Sequence, residues 1–394
     1  MDIPFYIEVA SEQRNYGVER ICGDVFLSRK IREENRTIAV LSDGMGHGVK
    51  ANVLATLTST MALNFTIEHK NPETIAEIIM NTLPVCSERH MNYATFTIVE
   101  IEADGTTTIL EYDNPQTIIL RNNQPFLPGW QCIILKSERN AGKEIRTCQF
   151  KARKEDRILF CSDGITQSGL GSEKYPLGWG RDNLLEYCTR YLKNNQDISA
   201  SKLAAKLVNV AYRNDAYQSK DDTSCASIYL RQPRKLLLVT GPPYEKKNDE
   251  KFARAVREFP GKKIVCGATT ADIVARELDL SIEDSLEFED PELPPMSFME
   301  GIDLVTEGIL TITKVTRLLK EFNPATSLGN GPADRIVKLM KESDEIEFII
   351  GTRINVAHQD PNLPVELEIR RTVVKRMARL LEEKFLKEIA IRYI

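Results

Sequence analysis

A chain of 394 residues with a formal net charge of −5 carries no global basic field for holding a nucleic-acid backbone. Its 42% hydrophobic content supplies apolar material for two cores, and no apolar run approaches the roughly 20 residues that span a bilayer. The eight cysteines are scattered, with no Cys-x-x-Cys, which argues for a reducing interior and against a disulfide framework or a cysteine zinc site. Met1-Asp2-Ile3-Pro4 lacks the basic and apolar regions of a secretory leader. The expectation is a cytoplasmic protein with neither a nucleic-acid nor a membrane partner.

In chain order, residues 7–9, 25–27 and 37–41 read as strands, and the last runs into Ser42-Asp43-Gly44. Gly46-His47-Gly48 precedes a predicted helix with Val53, Leu54, Leu57, Met61 and Phe65 at the 3.6-residue period. A second helix is predicted over 73–83. Strands return at 95–102, 107–112 and 117–121, joined by the hairpin-type connectors Ala103-Asp104-Gly105 and Arg121-Asn122-Asn123. Strands at 145–150 and 157–161 lead into Ser162-Asp163-Gly164. Helices over 182–193 and 199–214 follow, and a strand at 224–230 comes after Asp221-Asp222. Blocks of antiparallel strands interrupted by helices give residues 1–231 an α+β layered architecture.

The pattern changes at Arg231-Gln232-Pro233-Arg234. Beyond it come a strand at 235–239, a helix at 249–259, a strand at 263–266 and a helix at 270–278. An acidic, proline-bearing loop covers 286–295. Helices over 304–322 and 332–342 precede a strand at 347–350, and a last long helix carries Val373, Val374, Met377, Leu381 and Phe385. This alternation predicts that residues 234–394 form a second α/β domain with a mostly parallel sheet.

Four motifs punctuate the first domain: Cys22-Gly23-Asp24-Val25, Ser42-Asp43-Gly44-Met45-Gly46-His47-Gly48, Cys161-Ser162-Asp163-Gly164 and Lys220-Asp221-Asp222-Thr223-Ser224. Each sets an aspartate at the end or start of an apolar strand, where Asp and Gly belong. If those strand ends converge, the carboxylates stay ionised together only with cations present. Oxygen donors without thiolate or imidazole select Mg²⁺ or Mn²⁺.

The order Gly-Asp, Asp-Gly-Met-Gly-x-Gly, Ser-Asp-Gly, Asp-Asp-x-Thr/Ser resembles the metal-dependent 2C-type protein serine/threonine phosphatases, and within them the bacterial stage II sporulation protein E-like branch. The resemblance covers about residues 1–231. It implies an antiparallel β-sandwich flanked by helices and two Mn²⁺ or Mg²⁺ ions. It further implies that Asp43 bridges the ions, that the Gly44 carbonyl contacts one, that Asp24, Asp163 and Asp221 complete the ligands, and that Asp222 supports them. The implied chemistry is attack of metal-activated water on a phosphoserine or phosphothreonine of a protein substrate, without a protein nucleophile. Met45 stands where eukaryotic members often carry a histidine. His47 is read as a helix-start residue, with a general-acid role as the alternative. Arg20 is either a phosphate-binding arginine, as in eukaryotic relatives, or a solvated one. Glu111-Tyr112-Asp113-Asn114-Pro115 replaces the Asn-Ala-Gly-His-type element of the bacterial branch, and the branch's usual preceding sensor domains are not seen.

The second domain carries no comparably specific motif. Val265-Cys266-Gly267-Ala268-Thr269-Thr270-Ala271-Asp272 is a strand, turn and helix start that could hold an anion or simply cap the helix. With His358 and Asp360 in the polar loop 355–362, and Asp303 and Glu307 nearby, Thr269, Thr270 and Asp272 make a candidate small-molecule or anion-effector site. The leading reading is a phosphatase with a ligand-sensing or partner-binding second domain. The alternatives are a catalytically silent phosphoprotein-binding module, and a bifunctional chain whose second domain is a separate small-molecule enzyme.

Overall fold

The computed structural model describes residues 5–17, 19–83, 94–138, 140–285, 287–322, 328–353, 366–385 (366–368 by backbone alone) and 387–394. The chain divides into two compact units, Met1–Gln232 and Pro233–Ile394.

The first unit contains β1 (Tyr6–Arg14), β2 (Val25–Ile31), β3 (Arg36–Ser42), α1 (Gly48–Ile67), α2 (Pro72–Thr82), β4 (Phe96–Ile101), β5 (Thr106–Tyr112), β6 (Ile118–Arg121), β7 (Gln124–Pro125), β8 (Gln131–Ile134), β9 (Glu144–Lys151), β10 (Asp156–Cys161), α3 (Asp163–Thr166), α4 (Arg181–Lys193), α5 (Ala200–Asn214) and β11 (Thr223–Arg231). They form two antiparallel sheets, β2-β3-β4-β5-β9-β8 and β1-β11-β10-β6-β7. Every residue of β3 is buried, and its central run Ile38-Ala39-Val40-Leu41 is apolar on both faces. Ile38 and Val40 face α1 and α2, whereas Ala39 and Leu41 meet Ile158, Phe160 and Ile228 of the other sheet. α4 and α5 cover the far face of the second sheet. The result is a β-sandwich with helices on both outer faces.

α1 packs by a different face from the one its sequence suggests. The buried stripe is Gly48, Ala51, Ala55, Thr58, Ser59, Ala62 and Thr66, while Val53 and Leu57 are 59% and 43% exposed and Leu54, Met61 and Phe65 are half-buried. Close approach explains the reversal. A Cβ on Gly44 would stand 2.1 Å from the Ala51 carbonyl oxygen, so only small side chains fit between helix and strand end.

The second unit contains β12 (Lys235–Thr240), a 3₁₀ turn (Lys246–Asn248), α6 (Asp249–Glu258), β13 (Lys262–Cys266), α7 (Ala268–Leu278), β14 (Glu283–Asp284), β15 (Ser297–Met299), β16 (Ile302–Thr306), α8 (Ile309–Glu321), α9 (Pro332–Glu342), β17 (Glu345–Ile350), α10 (Glu366–Phe385) and β18 (Glu388–Tyr393). Its sheet runs β14-β15-β16-β13-β12-β17-β18, the last five strands parallel. Leu236 and Leu238 join the core under α8, α9 and α10; Leu237 and Val239 join the one under α6 and α7. Residues 302–306 are a strand rather than the start of a helix, because Leu304 and Val305 are buried against β13 and the chain leaves the sheet only at Glu307-Gly308. Glu307 then caps α8, accepting from the Leu310 amide at 3.2 Å. Asp303 is therefore a strand residue, accepting from the Lys263 amide at 2.8 Å. Among the described residues, no helix is long and apolar enough to cross a membrane.

Candidate metal centre

Strand register brings the four motifs to one end of the sandwich. Val25 pairs with Ser42, which sets Asp24 and Asp43 at neighbouring strand ends. Cys161 pairs with Cys225, which does the same for Asp163 and Asp221. The Ser162 amide donates to the Ser224 carbonyl at 3.0 Å, and the Ser224 amide returns a bond to Ser162 Oγ at 3.0 Å. Gln13 Nε2 ties the two pairs together, donating to the Asp24 carbonyl at 3.2 Å and to Ser224 Oγ at 3.0 Å.

Asp43, Asp163 and Asp221 line an open cleft of about 940 Å³, which Tyr16, Met45, His47, Asn114, Arg146, Gln167 and Lys220 also line. Asp24 is buried beside them, 2% exposed, and among the described residues neither of its carboxylate oxygens has an aligned hydrogen-bond donor. Burial lifts its pKa to about 7; the Ser224 and Ser162 hydroxyls oppose that rise in part, and the Asp222 and Asp221 charges add to it. Burial, then the Asp163 charge, raises Asp221 to about 6. Asp43 is held well above the ordinary carboxylate range by burial and by the charges of Asp24, Asp163 and Asp221. It is hydrogen-bonded to Asp163, whose own rise by burial this bond and the Gly164 amide oppose.

The supporting contacts are specific. Asp163 opens α3, and Gln167 Nε2 donates to its Oδ2 at 2.6 Å. Asp221 Oδ1 accepts from the Asp222 backbone amide at 2.8 Å. The Asp222 side chain turns elsewhere: Oδ1 accepts from the Tyr16 amide at 2.9 Å, and Oδ2 is buried without a donor. Gly164 is required by packing, since a Cβ there would stand 2.2 Å from the Asp222 carbonyl oxygen. Gly44 forms an antiparallel bridge with Ala94, and the Asp43 carbonyl accepts from Thr95 at 2.9 Å.

As placed, no three His, Cys, Asp or Glu side chains among the described residues enclose a metal ion. The chemistry of the donors nonetheless fits one. Carboxylates that raise one another's proton affinity, with buried acceptor oxygens that lack well-aligned donors, need either protons or hard cations.

His47 lines the cleft but is 52% exposed, precedes α1, stacks on Tyr16 at 4.5 Å and sets Nδ1 3.1 Å from Glu19 Oε1. Arg20 is exposed and does not line the cleft. Tyr16, Arg146 and Gln167 belong to the cleft wall outside the four aspartate motifs. Gln167 was findable as the residue one helical turn beyond Asp163, whereas Arg146 is placed by strand register, which no local pattern displays.

In the second unit, Thr269 and Asp272 are exposed on α7. Thr270 is buried, and its Oγ1 accepts from the Gly241 amide at 2.9 Å, tying the exit of β12 to α7. His358 and Asp360, with the rest of the 355–362 loop, lie outside the described residues. β13 and β17 flank β12 and run parallel to it, so the chain leaves both at the same edge of the sheet.

Residues 33–231 match the family model for stage II sporulation protein E (SpoIIE). No curated protein matches the chain. Among solved structures, the phosphatase domain and a fragment of the regulatory domain of SpoIIE from Bacillus subtilis is 17% identical with a TM-score of 0.47; the match covers 58% of this chain and 64% of that one, less than two thirds of its length. RsbX in complex with magnesium is 17% identical over 57% of this chain and 95% of that chain, with a TM-score of 0.40. The catalytic domain of the serine/threonine phosphatase PstP with two manganese ions is 15% identical over 58% and 100%, with a TM-score of 0.37.

Proposed function

Because this chain belongs to the stage II sporulation protein E family, we propose that its first unit is a metal-dependent phosphatase that hydrolyses phosphoserine or phosphothreonine on a protein. The observation that carries the reading is the convergence of Asp24, Asp43, Asp163 and Asp221, with both Asp24 oxygens buried and no well-aligned donor on either among the described residues. In this reading those four carboxylates, with the Gly44 carbonyl, hold two Mn²⁺ or Mg²⁺ ions. When bound, such ions lower the pKa of water and offset charge on the phosphoryl oxygens.

The chain's own groups prepare the site. Gln167 fixes the rotamer of Asp163, and the Asp222 amide fixes Asp221. Ser162 and Ser224 hold the two strand ends in register, so the carboxylates are positioned before substrate arrives. The cleft is open, which suits a phosphorylated segment of another protein better than an enclosed metabolite. We assign the second unit a regulatory or ligand-binding role, supported by its parallel sheet, at one edge of which the loops after β13 and β17 leave.

Phosphoserine and phosphothreonine peptides, with p-nitrophenyl phosphate as a generic substrate, test the activity. Turnover with Mn²⁺ or Mg²⁺ that stops in EDTA is expected. Full turnover by metal-stripped protein in chelator would overturn the metal-dependent reading, and no turnover with any divalent cation would overturn the enzyme reading.

A further inference from the structure

The cleft is lined by carboxylates: Asp43, Asp113, Glu144, Asp163 and Asp221. A phosphoryl dianion crossing this acidic wall to reach the proposed ions is helped by a fixed cation, and among the described residues the lining offers Lys220 and Arg146. Lys220 Nζ donates to the Leu170 carbonyl at 3.0 Å and is a point charge on a flexible stem, without a planar fork. Arg146 is built in. It lies on β9 directly opposite Glu111 of β5. Its Nη2 donates to the Asn114 carbonyl at 2.7 Å and stands 3.3 Å from Glu111 Oε2, an ion pair without the alignment of a hydrogen bond.

Both anchors are rigid. Glu111 is fully buried, with Oε1 accepting from the Thr117 amide at 2.7 Å. Asn114 is 3% exposed, accepts from Thr95 Oγ1 and donates to Thr97 Oγ1 at 3.0 Å. Arg146 itself is 40% exposed. A guanidinium has five donors in a planar fork; anchoring one Nη leaves an edge for a bidentate anion. A purely structural partner for Glu111 would have no need to lie in the cleft wall.

We propose that Arg146 binds the phosphoryl oxygens of the phosphorylated side chain, and that the segment from Glu111 to Pro115 serves to hold it there. This rests on the phosphatase reading above and adds the substrate-binding group to it. The segment that departs from the family's usual pattern thus supplies the buried carboxylate and the carbonyl that aim a cation along a wall of acids.

The test is binding, read apart from turnover. In the full chain carrying Asp43→Asn, the affinity for a fluorescent phosphoserine peptide is measured by anisotropy with and without Arg146→Ala or Arg146→Lys. Loss of a charge-assisted pair is worth a factor of about 10 to 100. Arg146→Ala should lose that factor, Arg146→Lys should fall between, and the unphosphorylated peptide should not discriminate. In the otherwise wild-type chain, KM and inhibition by inorganic phosphate should shift in the same order. An Arg146→Ala protein with an unchanged melting temperature and wild-type phosphopeptide affinity would overturn the proposal. So would an Arg146→Lys protein indistinguishable from Arg146→Ala in a fold that melts normally while both retain phosphate inhibition. Absence of divalent-dependent turnover in the wild-type chain would instead sink the phosphatase reading, leaving the binding comparison to be judged by itself.

Discussion

Gly23 lies under the Asp222 carboxylate: a Cβ at position 23 would stand 2.7 Å from Asp222 Oδ2, and 3.0 Å from the Ala51 side chain. The first and last aspartate motifs, about two hundred residues apart, are thus packed against each other with no room for a methyl group. Gly23→Ala should destabilise the first unit by about 1–3 kcal/mol, as overpacking does. Because Asp24 is the next residue, divalent-dependent turnover should fall further than stability. Urea midpoints and initial rates on p-nitrophenyl phosphate measure the two; wild-type values for both would mean that the close packing carries no constraint.

Asp43 is surrounded by three other carboxylates whose charges raise its proton affinity. Asp43→Ala removes the group that most depends on a compensating cation, and turnover should drop by at least about 10²-fold, the usual effect of deleting an electrostatic element at a transition-state site. Mn²⁺ is expected to stabilise the wild type thermally, and the variant should lose that increment. A variant still stabilised by Mn²⁺ to the same extent would place the ion elsewhere.

The metal-free protein should lose stability as pH rises. Asp24 titrates near 7 in the fold against an ordinary 3.8, and Asp221 near 6. Between those limits the folded chain holds more protons than the unfolded one, so this contribution is complete below the ordinary value and declines as pH climbs through the folded one. Cation binding requires the deprotonated forms, so the increment from Mn²⁺ should grow across the same window. Melting temperatures in EDTA and in Mn²⁺, taken over that range, should diverge with rising pH; parallel curves would contradict the coupling.

His47 should prove dispensable for proton transfer. It is half exposed, its Nδ1 is engaged with Glu19, and its ring is stacked on Tyr16. His47→Gln should leave the shape of the pH–rate profile unchanged. Loss of one limb of that profile would restore the general-acid role.

These outcomes turn on residues of unequal visibility in the sequence. The aspartates were legible because Asp-Gly after an apolar strand is a local signal, and strand ends announce themselves. The β-sandwich followed from the resemblance and the strand pattern together. The packing face of α1 was not legible: amphipathic periodicity reports which residues are apolar, and Ala51, Ala55 and Ala62 are chosen for closeness, not for hydrophobicity. β16 reads as the start of a helix in the sequence because Leu304 and Val305 suit either element, and only pairing with β13 decides. Arg146 meets Glu111 through a register that links β5 to β9, a fact about the sheet and not about either segment.

The same register argument sets where the chain can be cut. A truncation after Leu230 would remove Arg231, whose Nε donates to Glu8 at 2.6 Å and whose backbone pairs with Tyr6 at the end of β1. A cut after Gln232 keeps that pair and follows the boundary of the compact unit. Among the described residues the unit so obtained holds three apolar clusters of its own: one under α1 and α2, one between the sheets and one under α4 and α5. Residues 1–232 should therefore unfold in a single cooperative transition. All four aspartates and Arg146 belong to this piece, so it should retain divalent-dependent turnover close to that of the full chain. Denaturant melts followed by two probes, with rates on a phosphopeptide, check both halves of the expectation. A fragment that melts cooperatively yet turns over nothing would show that the second unit completes the catalytic site, and the assignment of a separate regulatory role to residues 233–394 would fall with it.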